Sequence, residues 1–200
     1  EIAFSGKIFK RSASHTPMDP EVLLLRYGEI FLKGKNRAHF ERKLVANITK
    51  ITGLSGIKKL QGRLVANYFP EHATLKSVFG LVSYSLSFFV KNDLDKIKKK
   101  ALEILQAKLL HTKNSTFKVE TKRSDKSFPL TSLELNGAVG EYIEANGALR
   151  FSFEKPDHLL KMEVSQEGTF LFFDTIPCFG GLPTGVEGKV AVLVENEASI

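Results

Sequence analysis

The chain has one cysteine, no tryptophan and two methionines among its 200 residues. A single thiol, Cys178, excludes an internal disulfide and a cysteine-rich zinc site within one chain. No apolar run reaches the ~18 residues of a membrane span, so no membrane partner is expected. The first residues lack the charged start, apolar run and small-residue cleavage site of a secretory signal. These absences point to a cytoplasmic protein. The five histidines (His15, His39, His72, His111 and His158) are scattered, and no pair has metal-ligand spacing. No metal site and no catalytic residue are expected. Nothing around Cys178 marks an activated thiol; a small buried or half-buried residue is the expectation.

Acidic residues are scarce in the first two-thirds. Residues 1–130 hold 25 Lys and Arg against 11 Asp and Glu, whereas residues 131–200 hold 4 against 11. The basic part therefore suits a polyanion, although a solvated basic surface has the same composition. With 42% hydrophobic and 26% charged residues, the chain is globular, with room for one or two cores.

Residues 1–20 show no period and read as a loose tail. The run Glu21–Ile30, stopped by Gly28, predicts a buried strand. A basic loop over residues 32–37 follows, with Asn36 placed to cap a helix. The stripe Phe40, Leu44, Val45, Ile48 and Ile51 predicts that helix, ended by Gly53. Strands are predicted at 62–69 and 81–90, with a short helix carrying Leu75, Val78 and Phe79 between them. Residues 54–61 stay unassigned. A second unit opens with a helix whose start is marked by Asn92 and Asp95. Leu94, Ile97, Ala101, Ile104 and Leu105 are its buried stripe, and Lys96, Lys98, Lys99 and Lys100 its outer face. Residues 115–123 alternate as a strand, and 159–175 predict a hairpin turning near Gln166–Gly168. The Gly- and Pro-rich 177–189 reads as a linker, and "VAVLV" (190–194) as one more strand, before anything able to cover both its faces.

The stretch between strand and helix carries the chemistry. "TKRSDKSFPLTSLELNGAVGEYIEANG" (121–147) places Lys122, Arg123 and Lys126 just before a helix start. Thr131 and Glu134 have capping-box spacing, and Ser132 opens the helix. A helix N-terminus has unpaired N–H groups and a partial positive charge, which suits a phosphate. Phe128 is a candidate for stacking on a base, and Pro129 stiffens the turn. The alternative is that Phe128 is core and the cations only solvate a loop.

"KVETKRSDKSFPLTSLELNGAVGEYI" resembles the signature of the THUMP domain, an RNA-binding module of several tRNA-modifying enzymes. "RYGEIFLKGKNRAHFERKL" (26–44) resembles the amino-terminal signature of the tRNA 4-thiouridine synthetases, the ThiI family. "FGGLPTGVEGKV" (179–190) resembles that family's linker to its nucleotide-binding domain. The implied fold is α+β: a ferredoxin-like N-terminal domain (21–90), an α/β THUMP domain (91–176), the linker (177–189), and the first strand of a PP-loop domain (190–200). The resemblance implies that the first two domains bind tRNA and grip its acceptor end, while the PP-loop domain adenylates a uridine and a persulfide donates sulfur. Some bacterial members also serve thiamine biosynthesis. It carries RNA contact to Lys122, Arg123, Lys126, Phe128 and Pro129, and to Arg26, Lys33, Lys35, Asn36 and Arg37. Gly28, Glu29 and Gly34 match the same amino-terminal motif, with Glu29 expected to hold basic side chains in place. Family members commonly pair, and the acidic last third lying on a basic part of a partner chain suggests a homodimer of a longer protein.

One segment departs from the family. Where its PP-loop has two glycines that let backbone N–H groups approach ATP, this chain has Glu195, Asn196, Glu197, Ala198, Ser199 and Ile200. Both glycines are gone, and two carboxylates face the place of the phosphates. This loop is not expected to bind ATP in the family's way, so no cofactor is expected in this chain. The family's sulfur-carrying cysteine is also missing. Two functions remain in view: the tRNA-binding portion of a thiolation protein, or a non-enzymatic adaptor presenting tRNA to another modifying enzyme. An RNA methyltransferase fits less well, since the Gly-Pro segment and strand do not resemble its cofactor motif.

Overall fold

The computed structural model describes residues 19–108, 115–147 and 149–188. The expected tail, strand 190–194 and PP-loop segment 195–200 lie outside those residues, apart from Asp19 and Pro20.

Strand β1 (Val22–Tyr27) opens with four consecutive apolar residues, Val22 to Leu25, because it is covered on both faces. Leu23, Leu25 and Tyr27 pack with Phe40, Leu44 and Ile48, the buried stripe of helix α1 (Arg37–Thr52). Val22 and Leu24 pack on the other face, with Val65, Phe170 and Phe172. Helix α1 ends at Gly53, whose φ of 73° is a left-handed cap. Asn36 does occupy the N-cap position, but its side chain makes no capping bond. Its backbone is already helical, because a 3-10 turn (Gly34–Asn36) runs straight into α1. Ile51, expected in the stripe, is exposed.

The unassigned stretch contains a strand, β2 (Lys58–Leu60), joined to β3 (Arg63–Asn67) through the two-residue turn Gln61–Gly62. The short helix is a 3-10 turn (His72–Ser77) that buries Leu75. Val78 is buried after it, whereas Phe79 is half-exposed and stacks on Phe179 at 5.4 Å. Strand β4 (Leu81–Val90) is ten residues long and joins the two units. Residues 81–87 pair with β1, and Phe88, Phe89 and Val90 pair with β8 (Thr169–Phe172).

The second unit builds on β4. Helix α2 (Leu94–Lys108) buries Ile97, Ala101, Ile104 and Leu105. Asp93, not Asn92 or Asp95, caps it, accepting from the Lys96 N–H at 3.0 Å. Asn92 instead ties the helix entrance to a later hairpin, through the Ser165 carbonyl (2.6 Å) and the Thr169 hydroxyl (2.8 Å). Lys100 is not on the solvated face: it is largely covered and pairs with Glu21 at 2.8 Å. Strand β5 (Thr116–Arg123) runs parallel to β6 (Arg150–Phe151) and β7 (His158–Val164), with helix α3 (Ser132–Asn146) as the crossover. β7 and β8 form the hairpin around Gln166–Gly168. Its Gly168 presses so closely on β4 that a Cβ there would sit 2.5 Å from the Phe89 ring, so only glycine fits. The result is one sheet of order β2-β3-β1-β4-β8-β7-β5-β6.

Residues 176–188 lie against the first unit. β9 (Ile176–Pro177) pairs with β4, Cys178 N–H donates to Val82 O (2.9 Å), and Gly180 exchanges bonds with Leu81 and Gly80 (both 2.7 Å). Cys178, Leu182 and Val186 pack on the core of that unit.

One carboxylate crosses from the second unit to the first. Glu163 of β7 accepts a hydrogen bond from Arg26 Nε of β1 (2.9 Å), lies 2.8 Å from Arg26 Nη2 as an ion pair, and accepts from Arg63 Nε of β3 (3.1 Å). The Arg26 side chain is only 12% exposed, and its third nitrogen donates to Ser85 of β4 at 2.9 Å. Removing one partner of a buried ion pair leaves uncompensated charge. Glu163→Ala should therefore cost about 3 kcal/mol in urea unfolding. The triple change Arg26→Met, Arg63→Met, Glu163→Leu should cost much less, because no charge is then left unpaired.

Helix α3 begins with the expected capping box. Thr131 Oγ1 accepts from the Glu134 N–H (3.3 Å), and Glu134 Oε2 accepts from the Thr131 N–H (2.7 Å). The Thr131 N–H first, and the Thr131 hydroxyl after it, hold the Glu134 carboxyl below its ordinary value of 4.5. A depressed folded pKa means stabilisation that is complete above the unfolded value and lost as pH falls through the folded one. Amide exchange in the first turn of α3 should accelerate relative to its centre as the pH falls from the ordinary carboxyl value of 4.5 through the lower folded one. Glu134→Gln should abolish that pH dependence.

Candidate nucleic-acid interface

On the second unit, Lys122 and Lys126 are exposed, one near the end of β5 and the other at the tip of the following loop. Arg123 lies between them in sequence but turns back: its Nη1 donates to the carbonyls of Phe128 (2.9 Å) and Leu130. It thus holds the loop that leads to Thr131. Asp125 is buried at the loop base and accepts from the Ser127 hydroxyl (2.6 Å) and N–H (2.8 Å). Those two bonds lower its pKa. Phe128 is 7% exposed and belongs to the core with Leu135, Val139 and Val164. The expectation that it stacks on a base is therefore corrected: no ring face is open to one. Pro129 and Thr131 are exposed, and Ser132 is the first residue of α3.

On the first unit, Arg26 is turned inward to Glu163 and Ser85, away from any solution anion. Lys33 lies over the Phe40 ring (5.1 Å) and 3.8 Å from Glu187. Lys35 and Asn36 are exposed. Arg37 is braced from below. Its Nε donates to Glu41 (2.8 Å), its Nη2 to the Tyr27 hydroxyl (3.2 Å), and that hydroxyl donates to Glu41 (2.6 Å). The bracing role expected of Glu29 falls to Glu41, one helical turn from Arg37 and on the same face of α1. Glu29 is exposed in the preceding 3-10 turn.

The two groups are contiguous. The Arg37 guanidinium covers the Phe31 ring at 4.6 Å. That ring also lies beside Gly62, 3.8 Å from where a Cβ would stand. Next in sequence is Arg63, paired with Glu163, and Lys122 stands opposite Glu163 in the β5–β7 register. Between the β2–β3 turn and β5 opens a cleft of about 270 Å³, with Arg63, Lys122 and Glu163 on its walls and Leu24, Leu60 and Phe170 among its apolar lining. The cleft thus has Arg63 of the first unit and Lys122 of the second on its walls, together with Glu163, Glu167 and apolar side chains.

Sequence reasoning missed Arg63, Glu163, Glu41 and Phe31. Glu41 carried a local signal, its (i, i+4) spacing from Arg37. Arg63 and Glu163 meet across 100 residues and carried none. Cys178 is half-buried, and burial pushes its thiol up to about 11, the opposite of activation. No group of three or more His, Cys, Asp or Glu able to hold a metal occurs among the described residues. No helix among them is long and apolar enough to cross a membrane.

The model of the ThiI ferredoxin-like domain matches residues 22–85, and that of the THUMP domain matches residues 91–174. A probable tRNA sulfurtransferase of Brevibacillus brevis is 37% identical over 188 residues, covering 90% of this chain and 47% of the relative. A crystal structure of a 4-thiouridine synthetase–RNA complex with bound ATP is similar at 36% identity and a TM-score of 0.73, over 88% of this chain and 46% of that one. PH1313 from Pyrococcus horikoshii is similar at 32% identity and a TM-score of 0.76, over 90% of this chain and 62% of that one. The chain thus spans about half the length of the curated relatives it matches. By these two domains, in this order, the chain belongs to the ThiI family over residues 22–174.

Proposed function

We propose that this chain is the tRNA-binding portion of a cytoplasmic tRNA-thiolation protein, and that it holds the acceptor region of the tRNA. The observation that carries this reading is the link between cations of both units: Arg37 stacks on Phe31, Phe31 lies beside Gly62, and Arg63 and Lys122 line one cleft, with exposed Lys35 and Lys126 near them in sequence. Phosphates contribute most of the affinity of such surfaces, and fixed cations position the backbone. The capping box at the start of α3 engages the Thr131 and Glu134 N–H groups, which leaves those of Ser132 and Leu133 for an anion. Arg123 serves by shaping that loop, and Arg26 by fixing the groove wall. The relatives' names and the RNA complex of a similar synthetase support the same reading. Adenylation and sulfur transfer would belong to the longer protein, which we propose to be a homodimer.

The exposed cations make the test specific. Lys122→Ala with Lys126→Ala should weaken tRNA binding and lower the slope of log K against log salt by about 2. Arg123 is left in place so that the loop survives. Lys98→Ala with Lys99→Ala, on the outer part of α2, is the control and should have a smaller effect. Equal losses from both pairs would mean diffuse electrostatics. No loss from the first pair, with the circular dichroism unchanged, would remove the reading.

A further inference from the structure

We infer that Phe31 is a stacking platform for one unpaired base of the RNA, an inference that rests on the RNA-binding reading above. Ile30 is fully buried and anchors the 3-10 turn Glu29–Leu32, which turns Phe31 and Leu32 outward at 54% and 82% exposure. The Phe31 ring is nevertheless held in place. The Arg37 guanidinium stacks on it at 4.6 Å, and its Cδ2–Cε2 edge lies beside Gly62. Arg37 is itself fixed by Glu41 and Tyr27. An aromatic ring that is exposed yet immobilised, with a cation behind it, has lost little freedom by accepting a base on its open face.

The surroundings distinguish Phe31 from the other exposed phenylalanines. Phe79 and Phe179 stack on each other at 5.4 Å, and Phe151 packs edge-on to the buried Phe117 ring at 6.1 Å. Phe153 lies under Lys118, whose ammonium is 3.3 Å from Glu120. Phe31 shares the basic loop with Lys33, Lys35 and Arg37, of which Arg37 stacks on it, and it lies beside Gly62 in the turn next to Arg63, which lines a cleft with Lys122. Phosphates on either side of a stacked nucleotide would meet cations in both directions. This charge favours RNA over an apolar protein segment as the occupant. Base-paired RNA presents its backbone and shallow minor groove, so only an unpaired nucleotide offers a face to the ring.

The test uses the 200-residue chain and two RNAs, a blunt duplex and the same duplex with a short unpaired overhang, compared by fluorescence anisotropy. The overhang should strengthen binding by about tenfold in the unaltered chain. Phe31→Leu, which keeps apolar contact with Gly62 but has no ring, should erase that advantage. The blunt duplex, which offers no base face, should lose much less, and Phe31→Tyr should restore the advantage. Equal losses on both RNAs would overturn the inference, because the ring would then serve only to hold Arg37. So would an overhang without effect, or Phe31→Leu binding both RNAs like the unaltered chain, which would leave Phe31 and Leu32 to a protein contact. If the unaltered chain binds neither RNA with salt-dependent affinity, the RNA reading itself fails, and the inference with it.

Discussion

Glu163 is the side chain on which the arrangement of the two units turns. It reaches from β7 across the sheet to Arg26 and Arg63, which face each other on β1 and β3. Two arginines on one carboxylate leave a net positive charge in a half-buried place, and such an arrangement is held by geometry rather than by a large gain in free energy. Arg26 shows the strain of burial: desolvation lowers its pKa despite the attraction of Glu163. Its guanidinium is further covered by the Phe172 ring at 4.8 Å. The backbone junction nearby is short, three residue pairs between β4 and β8. The clamp and the small cluster of Val22, Leu24, Val65, Phe170 and Phe172 therefore carry much of the alignment.

That alignment matters for a polyanion surface. Cations on two bodies that move freely bind as two weak sites, whereas cations on one rigid body act as one. The segment 176–188 adds to the rigidity of the first unit. It reads in sequence as a linker because it is rich in glycine and proline, yet its described part is fastened to β4 by backbone bonds. Asn47 of α1 also donates to Thr184 O at 3.0 Å.

Most long elements were legible. β1, α1, β4, α2 and α3 announce themselves through local period and caps, and the Thr131–Glu134 box was readable as four adjacent letters. β2, β6 and β9 were not, since strands of two or three residues have no period and exist only through partners distant in sequence. The interface was legible as charge but not as geometry. Arg26 and Lys35 both look like phosphate ligands in a basic motif; only the fold shows that one is turned inward to Glu163. Phe128, whose sequence setting suggests stacking, is buried, and Phe31, for which the sequence suggests no role, is exposed, because burial is decided by packing such as that of α3 on β5 and not by neighbouring letters. The family resemblance supplied the order of domains, which local physics alone does not.

The central claim is that one RNA surface spans both units. Hydrogen exchange of the chain with and without saturating tRNA tests it most directly. The account predicts slowed exchange at both the basic loop (29–37) and the Lys122–Thr131 loop, with the outer turns of α2 unaffected. Protection confined to one unit would contradict it.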